Sequence, residues 1–301
     1  MTLSELKFIV ALAQERNFRR AAEKCFVSQP ALSLAVKKLE EDLGIIIFER
    51  SRTEVSLTDM GSKIVHQANK VLFEAAQIKE IAKLGANPLI GTLKIGMIHS
   101  VGPYLLPEII PILRQSAPEM PLEVEENITA NLEMQLRNGV IDVAIIALPF
   151  DIAGLQTQAL YDEDFSVVVP ASHQWAGRKN IHPEELADEK VLLLNSGHCF
   201  SNQLTLACPE LTRKGEVLQG NSLETIRNMV ASNLGITVLP NSAIAERYLN
   251  PLITVIPFVA PAPSRRIALA WRKSYVRLEA IYKMIEAVNA VNSNYIRVIE
   301  G

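Results

Sequence analysis

Near the start of the chain Leu6, Ile9, Val10 and Ala13 recur three and four residues apart, the spacing that lines one face of an α-helix. Thr2 and Glu5 precede them in the pattern of a capping box, in which hydroxyl and carboxylate satisfy each other's backbone N–H. Asn17 is placed to cap a second helix over 18–24. Ser28 can cap a third, where Leu32, Val36, Leu39 and Leu43 form an apolar stripe until Gly44 stops it. Three short helices with tight turns predict a helix-turn-helix. Ile47, Phe48, Val55 and Leu57 flank a polar stretch over 50–54 and predict a two-stranded wing with a basic tip.

From residue 64 the rhythm changes. Ile64, Ala68, Val71, Ala75, Ile78 and Ala82 step by 4, 3, 4, 3 and 4 residues, the a/d seam of a coiled coil along a helix over 59–83. Gly85 and Pro88 then end it. Beyond Gly91, strand-like runs at 92–98, 122–128 and 141–147 alternate with helical patterns, a βαβαβ arrangement. A second set comprises runs at 165–169, 190–194, 235–239 and 267–271, a helix capped by Ser222 and a final helix. The pattern predicts an α/β protein with an all-α N-terminal part: a winged helix-turn-helix over 1–58, a linker helix over 59–88 and an α/β effector domain over 89–301. The effector domain divides into one lobe of about 89–161 with 268–301 and another of about 162–267, with a cleft between them.

Composition narrows the function. No apolar run approaches the length of a membrane span, and no basic segment with a signal-type core opens the chain, so a cytoplasmic protein without a membrane partner is expected. Residues 1–90 hold 13 Lys and Arg against 11 Asp and Glu, and the remainder 17 against 22, so the two parts differ in sign. That excess is a weak footprint for nucleic acid, and motif geometry has to carry any DNA-binding claim. Three cysteines are too few for a disulfide framework, and neither they nor His66, His99, His173 and His182 have metal-ligand spacing, so no metal or cofactor is expected.

Gln29, Ser33 and Lys37 lie at i, i+4 and i+8 on the third helix, a line of side chains suited to a DNA groove. Glutamine can bond an adenine edge, serine is permissive, and lysine reaches a guanine edge or a phosphate. Arg50 and Arg52 on the wing suit the phosphate backbone. A solvated polar face accounts for the same spacing. The runs Phe18-Arg19-Arg20-Ala21-Ala22, Val27-Ser28-Gln29-Pro30-Ala31-Leu32-Ser33, Lys38-Leu39-Glu40, Phe48-Glu49-Arg50 and Leu57-Thr58-Asp59-Met60-Gly61 resemble LysR-type regulators in order and spacing. The resemblance covers the whole chain. It implies a winged helix-turn-helix that binds double-stranded DNA, Pro30 included in the contact, a linker helix that dimerises through Ile64, Val71 and Ile78, and an effector domain of the two-lobed kind seen in periplasmic binding proteins. A homodimer or a tetramer is expected, and RNA polymerase is the expected partner on DNA.

Cys25, between the second and third helices, reads as core packing. The segment from Ser196 to Pro209 holds Cys199 and Cys208, nine residues apart. A thiolate attacks peroxide to give a sulfenic acid, which a second thiol converts to a disulfide, and a neighbouring cation favours the thiolate. His198 is adjacent, and Arg265-Arg266 can approach in space. If 200–207 is helical the two Cα atoms stand roughly 13 Å apart, beyond the span of about 7 Å that a disulfide tolerates, so closure requires local unfolding. On spacing alone, two buried thiols at ordinary core positions remain the simpler reading.

The runs Gly197-His198-Cys199, Gln203 and Cys208, Val101 to Pro107 and Ser222 to Val230 resemble the peroxide-sensing branch of the LysR family. The resemblance implies that Cys199 reacts with hydrogen peroxide, that Cys208 resolves it, that His198 and Arg266 favour the thiolate, and that Ser100 and Thr129 help hold the peroxide. It also implies resetting by a thiol reductant such as a glutaredoxin or thioredoxin, and a regulator rather than an enzyme. The chain departs from that branch at Ser100, where threonine is usual, and at Ser201-Asn202, where an Arg-Asp pair is common. The alternative within the same family is a regulator controlled by a small organic ligand in the interlobe cleft.

Overall fold

In the computed structural model, which describes residues 1–50, 55–84, 88–195, 199–208, 217–248 and 250–299, Thr2 and Glu5 form the expected capping box at the start of α1 (Leu3–Glu15). The Glu5 N–H donates to Thr2 Oγ1 at 3.3 Å and the Thr2 N–H to Glu5 Oε2 at 2.7 Å. Asn17 caps α2 (Phe18–Lys24) by accepting from the Arg20 N–H, and Ser28 caps α3 (Gln29–Leu43) by accepting from the Ala31 N–H. Gly44 ends α3 at φ +67°, a left-handed position that costs glycine little. Leu32, Val36 and Leu39 turn inward against Leu6, Ile9, Leu12, Ala21 and Ile47. Burying each such leucine stabilises the unit by about 1.5–3 kcal/mol.

The wing is an antiparallel pair, β1 (Phe48–Arg50) and β2 (Val55–Leu57), with Phe48 opposite Leu57. Its tip, with Arg52, lies outside the described residues, as does the side chain of Arg50. Glu40 Oε1 accepts from the Ile47 and Phe48 N–H groups at 2.8 and 3.0 Å and so fixes the wing to α3. Helix α4 (Asp59–Leu84) then starts so close to the wing that a Cβ on Gly61 would stand 2.0 Å from the Ile47 carbonyl oxygen.

The a/d positions of α4 fall into two surroundings. Val65 and Ala68 are buried in the helix-turn-helix core, and Ile64 and Leu72 pack against it. Ile64, expected at a dimer contact, is therefore taken in part by the chain's own core, because the first turns of α4 lie on that domain. Val71 and Ile78 stay outside, 36% and 69% exposed.

The chain divides into two compact units, Met1–Asn87 with Arg137–Val140, and Pro88–Leu136 with Ile141–Gly301. In the second unit β3 (Leu93–Ile98), α5 (Gly102–Ser116), β4 (Leu122–Asn127), α6 (Thr129–Arg137) and β5 (Val143–Ala147) form the βαβαβ arrangement, β3 lying parallel between β4 and β5. Pro107 within α5 has no N–H for the Pro103 carbonyl, which instead accepts from Tyr248 Oη at 3.2 Å.

Strand β6 (Leu155–Pro170) is 16 residues long, far beyond the expected run of 165–169. The acidic stretch at its centre lies outside the expected run, and each carboxylate meets an arginine: Asp162 meets Arg266, Glu163 meets Arg265, and Asp164 meets Arg297. After it come β7 (Val191–Leu194), α7 (Cys199–Ala207), β8 (Val217–Gly220), α8 (Leu223–Ala231), β9 (Thr237–Pro240), β10 (Ile253–Pro257), β11 (Ser264–Arg272), α9 (Leu278–Asn289) and β12 (Arg297–Val298). β8, β10 and β12 are additions to the elements expected. The main sheet runs β10-β6-β11-β5-β3-β4, with β9 and β12 also paired to β6. One core gathers residues of 93–161 and 267–291, and a second is built mainly from 165–258, Trp271 in the first and Trp175 in the second. Strand β6 runs through both.

Candidate functional site

Gln29, Pro30 and Lys37 are exposed on α3 and Ser33 is half-buried, while Leu32, Val36 and Leu39 face the core. Lys37 Nζ stands 3.7 Å from Glu41, with both side chains about two-thirds exposed, so solvent leaves the ammonium available to a phosphate. Cys25 packs against the same core, and burial pushes its thiol pKa up, the opposite of a reactive cysteine.

The second candidate lies between the two lobes of the effector unit. Ile98 and Asn127 are paired in register on the parallel strands β3 and β4, and Ser100 and Thr129 each follow two residues later. Both hydroxyls therefore sit at the carboxyl ends of adjacent strands, where open α/β sheets place their crevices. On β11, Arg265 lies opposite Glu163 and Arg266 opposite Asp162. Successive strand residues point to opposite faces, so only one of the two arginines can turn into the crevice.

That residue is Arg265. Its side chain is 1% exposed and its ion-pair partner Glu163 is fully buried, 2.6 Å away. Arg265 Nε donates to Glu163 Oε1 at 2.7 Å, and its two terminal nitrogens donate to Ser100 Oγ at 2.7 Å and to the Ser100 carbonyl at 2.8 Å. The guanidinium lies over the Phe200 ring, 5.2 Å from its centroid. Arg266, expected at this position, is a correction: it is half exposed and holds Asp162 through two bonds of 2.7 and 2.8 Å. Both faces of β11 are buried beyond this point, Ile267 on one and Ala268 on the other, so strand parity alone does not choose between the two arginines.

Thr129 Oγ1 and Gln203 Oε1 are buried with no hydrogen-bond partner among the described residues. Each can therefore bond a small polar molecule. His198 lies outside the described residues, and so does the side chain of Cys199. The backbone of Cys199 opens α7, and Ser201 anchors that first turn by donating to the Leu194 carbonyl at 2.7 Å. Gln203 is one turn further along. Cys208 ends the helix, with its N–H donating to the Leu204 carbonyl at 2.7 Å, and it is fully buried in the second core without a disulfide. Nine residues of helix place the two Cα atoms about 13 Å apart, where no disulfide closes.

Residues 3–62 match the bacterial regulatory helix-turn-helix proteins of the lysR family, and residues 86–293 match the LysR substrate binding domain. The DNA-binding transcriptional dual regulator OxyR of Escherichia coli (strain K12) is 38% identical over 291 residues, 96% of this chain and 95% of the relative. A hydrogen peroxide-inducible genes activator of Dickeya chrysanthemi is 38% identical over 273 residues, 90% of each chain. A full-length OxyR mutant from Pseudomonas aeruginosa superposes with a TM-score of 0.83 at 48% identity, covering 100% of this chain and 99% of that one. A hydrogen-peroxide-bound OxyR mutant from Corynebacterium glutamicum gives a TM-score of 0.65 at 33% identity, covering 96% and 92%.

Proposed function

The chain belongs to the LysR family of bacterial helix-turn-helix regulators, and we propose that it senses hydrogen peroxide through Cys199 and Cys208 and passes the redox state to DNA. The observation that carries this reading is the placement of Cys199 at the start of α7 and of Cys208 just past its end, with Phe200 of the same helix under the Arg265 guanidinium that bonds Ser100. The relatives named for hydrogen peroxide support it.

The Cys199 thiolate attacks one peroxide oxygen, the O–O bond breaks, and the hydroxide that leaves is protonated to water. Cys199 then carries a sulfenic acid. The Cys208 sulfur displaces that hydroxyl as a second water, so two thiols are oxidised by two electrons and one peroxide is reduced. Ser100, Thr129 and Gln203 supply hydrogen bonds to the peroxide, and Arg265 with His198 favours the thiolate. The disulfide requires α7 to unwind, which turns chemistry at one sulfur into a rearranged lobe. A dithiol reductant such as a glutaredoxin or thioredoxin resets the pair in the cytoplasm. RNA polymerase is the expected partner on the promoter. Footprinting of reduced and peroxide-treated protein tests the reading: the protected region is expected to shift in wild type and stay fixed in a Cys199→Ser variant. A shift in both would assign the response elsewhere.

On DNA, Arg50→Ala is expected to weaken binding to every sequence and to lower the salt slope by about one counterion, since a phosphate contact holds no base information. Gln29→Ala is expected to relax sequence preference by about 1–3 kcal/mol at one base pair. Competition binding across a salt series distinguishes them. Val71 and Ile78 offer an exposed apolar line to a second copy of α4. Ile78→Glu is therefore expected to dissociate the dimer, read by sedimentation at low concentration, and an unchanged dimer would place the seam elsewhere.

A further inference from the structure

We propose that Leu34 is a specificity-determining residue that reads the C5 methyl group of a thymine in the major groove. The inference rests on DNA binding by α3 and adds to it a contact of different chemistry from those of Gln29 and Lys37. Leu34 is 69% exposed on α3, whereas Leu32, Val36 and Leu39 are fully buried and Leu43, at the end of the helix, is 38% exposed. With about 100° between successive residues, Leu34 points directly away from that buried stripe and stands at the crest of the helix. Packing within the chain does not require a leucine there.

The neighbours on the crest identify the occupant. Pro30, one turn earlier, is exposed and has no N–H, and Lys37 and Lys38, one turn later, are exposed and cationic. An apolar step of two residues followed by two ammonium groups matches a groove floor bordered by phosphates. Among the base edges in that groove the thymine methyl is the apolar feature, and apolar side chains read it by contact. Covering an exposed leucine with such a group also removes apolar surface from water.

The test takes full-length reduced protein and a duplex chosen by selection from randomised DNA, in which each thymine is replaced singly by deoxyuridine. Wild type is expected to bind about fourfold more weakly when one particular thymine of a half-site loses its methyl, the change that corresponds to one buried methyl-sized group. Leu34→Ala is expected to bind the thymine duplex with that same loss, to show no further loss with deoxyuridine there, and to keep the wild-type salt slope and thermal midpoint. The proposal is overturned if Leu34→Ala remains as sensitive to deoxyuridine as wild type. It is equally overturned if the variant loses affinity for all sequences alike, or if the change alters the oligomeric state, which would make Leu34 a protein contact. A wild type that selects no duplex would remove the DNA-reading role of α3 itself, an outcome distinct from these.

Discussion

Replacing Arg265 with alanine is expected to destabilise the effector unit by about 3–5 kcal/mol, because it strands the fully buried Glu163 carboxylate in an apolar interior. The pair itself contributes less than that figure, since burying both charges has already cost most of their attraction. What the variant exposes is the uncompensated carboxylate, together with a Ser100 carbonyl that loses its donor. Arg266→Ala removes an ion pair at the surface and is expected to leave the urea midpoint where it was. A second consequence separates the two arginines by chemistry. Arg265 lies over Phe200, the neighbour of Cys199 in the chain, so its loss is expected to slow sulfenic-acid formation, whereas loss of Arg266 is not. Equal effects of the two substitutions on stability and oxidation rate would refute the inward placement of Arg265.

The second large effect is expected at the sulfurs. Cys199→Ser should abolish the response to low peroxide entirely, since a hydroxyl is no nucleophile toward peroxide at neutral pH. Cys208→Ser should behave differently and accumulate a sulfenic acid at position 199 that cannot be resolved. Cys208 is fully buried among Leu204, Phe200 and their neighbours, out of reach of peroxide until the helix opens. The order of oxidation therefore follows from environment. Rapid-quench labelling with a sulfenic-acid reagent reads it, and label at Cys208 before Cys199 would reverse the assignment.

Most of the N-terminal unit was legible in the sequence because its signals are local. Thr2, Asn17 and Ser28 each bond within three residues, and Gly44 stops α3 by its own backbone freedom. The βαβαβ order followed from alternation alone. What escaped depends on partners distant in the chain. The middle of β6 shows no strand pattern of its own, and its carboxylates are held by Arg265, Arg266 and Arg297, more than a hundred residues later. The choice between Arg265 and Arg266 turns on the same sheet, since a one-residue difference in strand register exchanges the two faces. Ile64 has the spacing of a seam residue, and nothing local shows that the helix-turn-helix core takes it up. The cysteine pair was visible as a spacing, and its redox role was implied by the resemblance rather than by the spacing.

The central claim is that oxidation and the folded α7 are mutually exclusive, and hydrogen exchange combined with peptide mapping of the same peroxide-treated sample tests it directly. One disulfide linking Cys199 to Cys208 is predicted, with the amides of 203–208 losing the protection they have in the reduced protein. A Cys199–Cys208 bond formed while those amides stay protected, or full peroxide response with both thiols unlinked, would contradict the account.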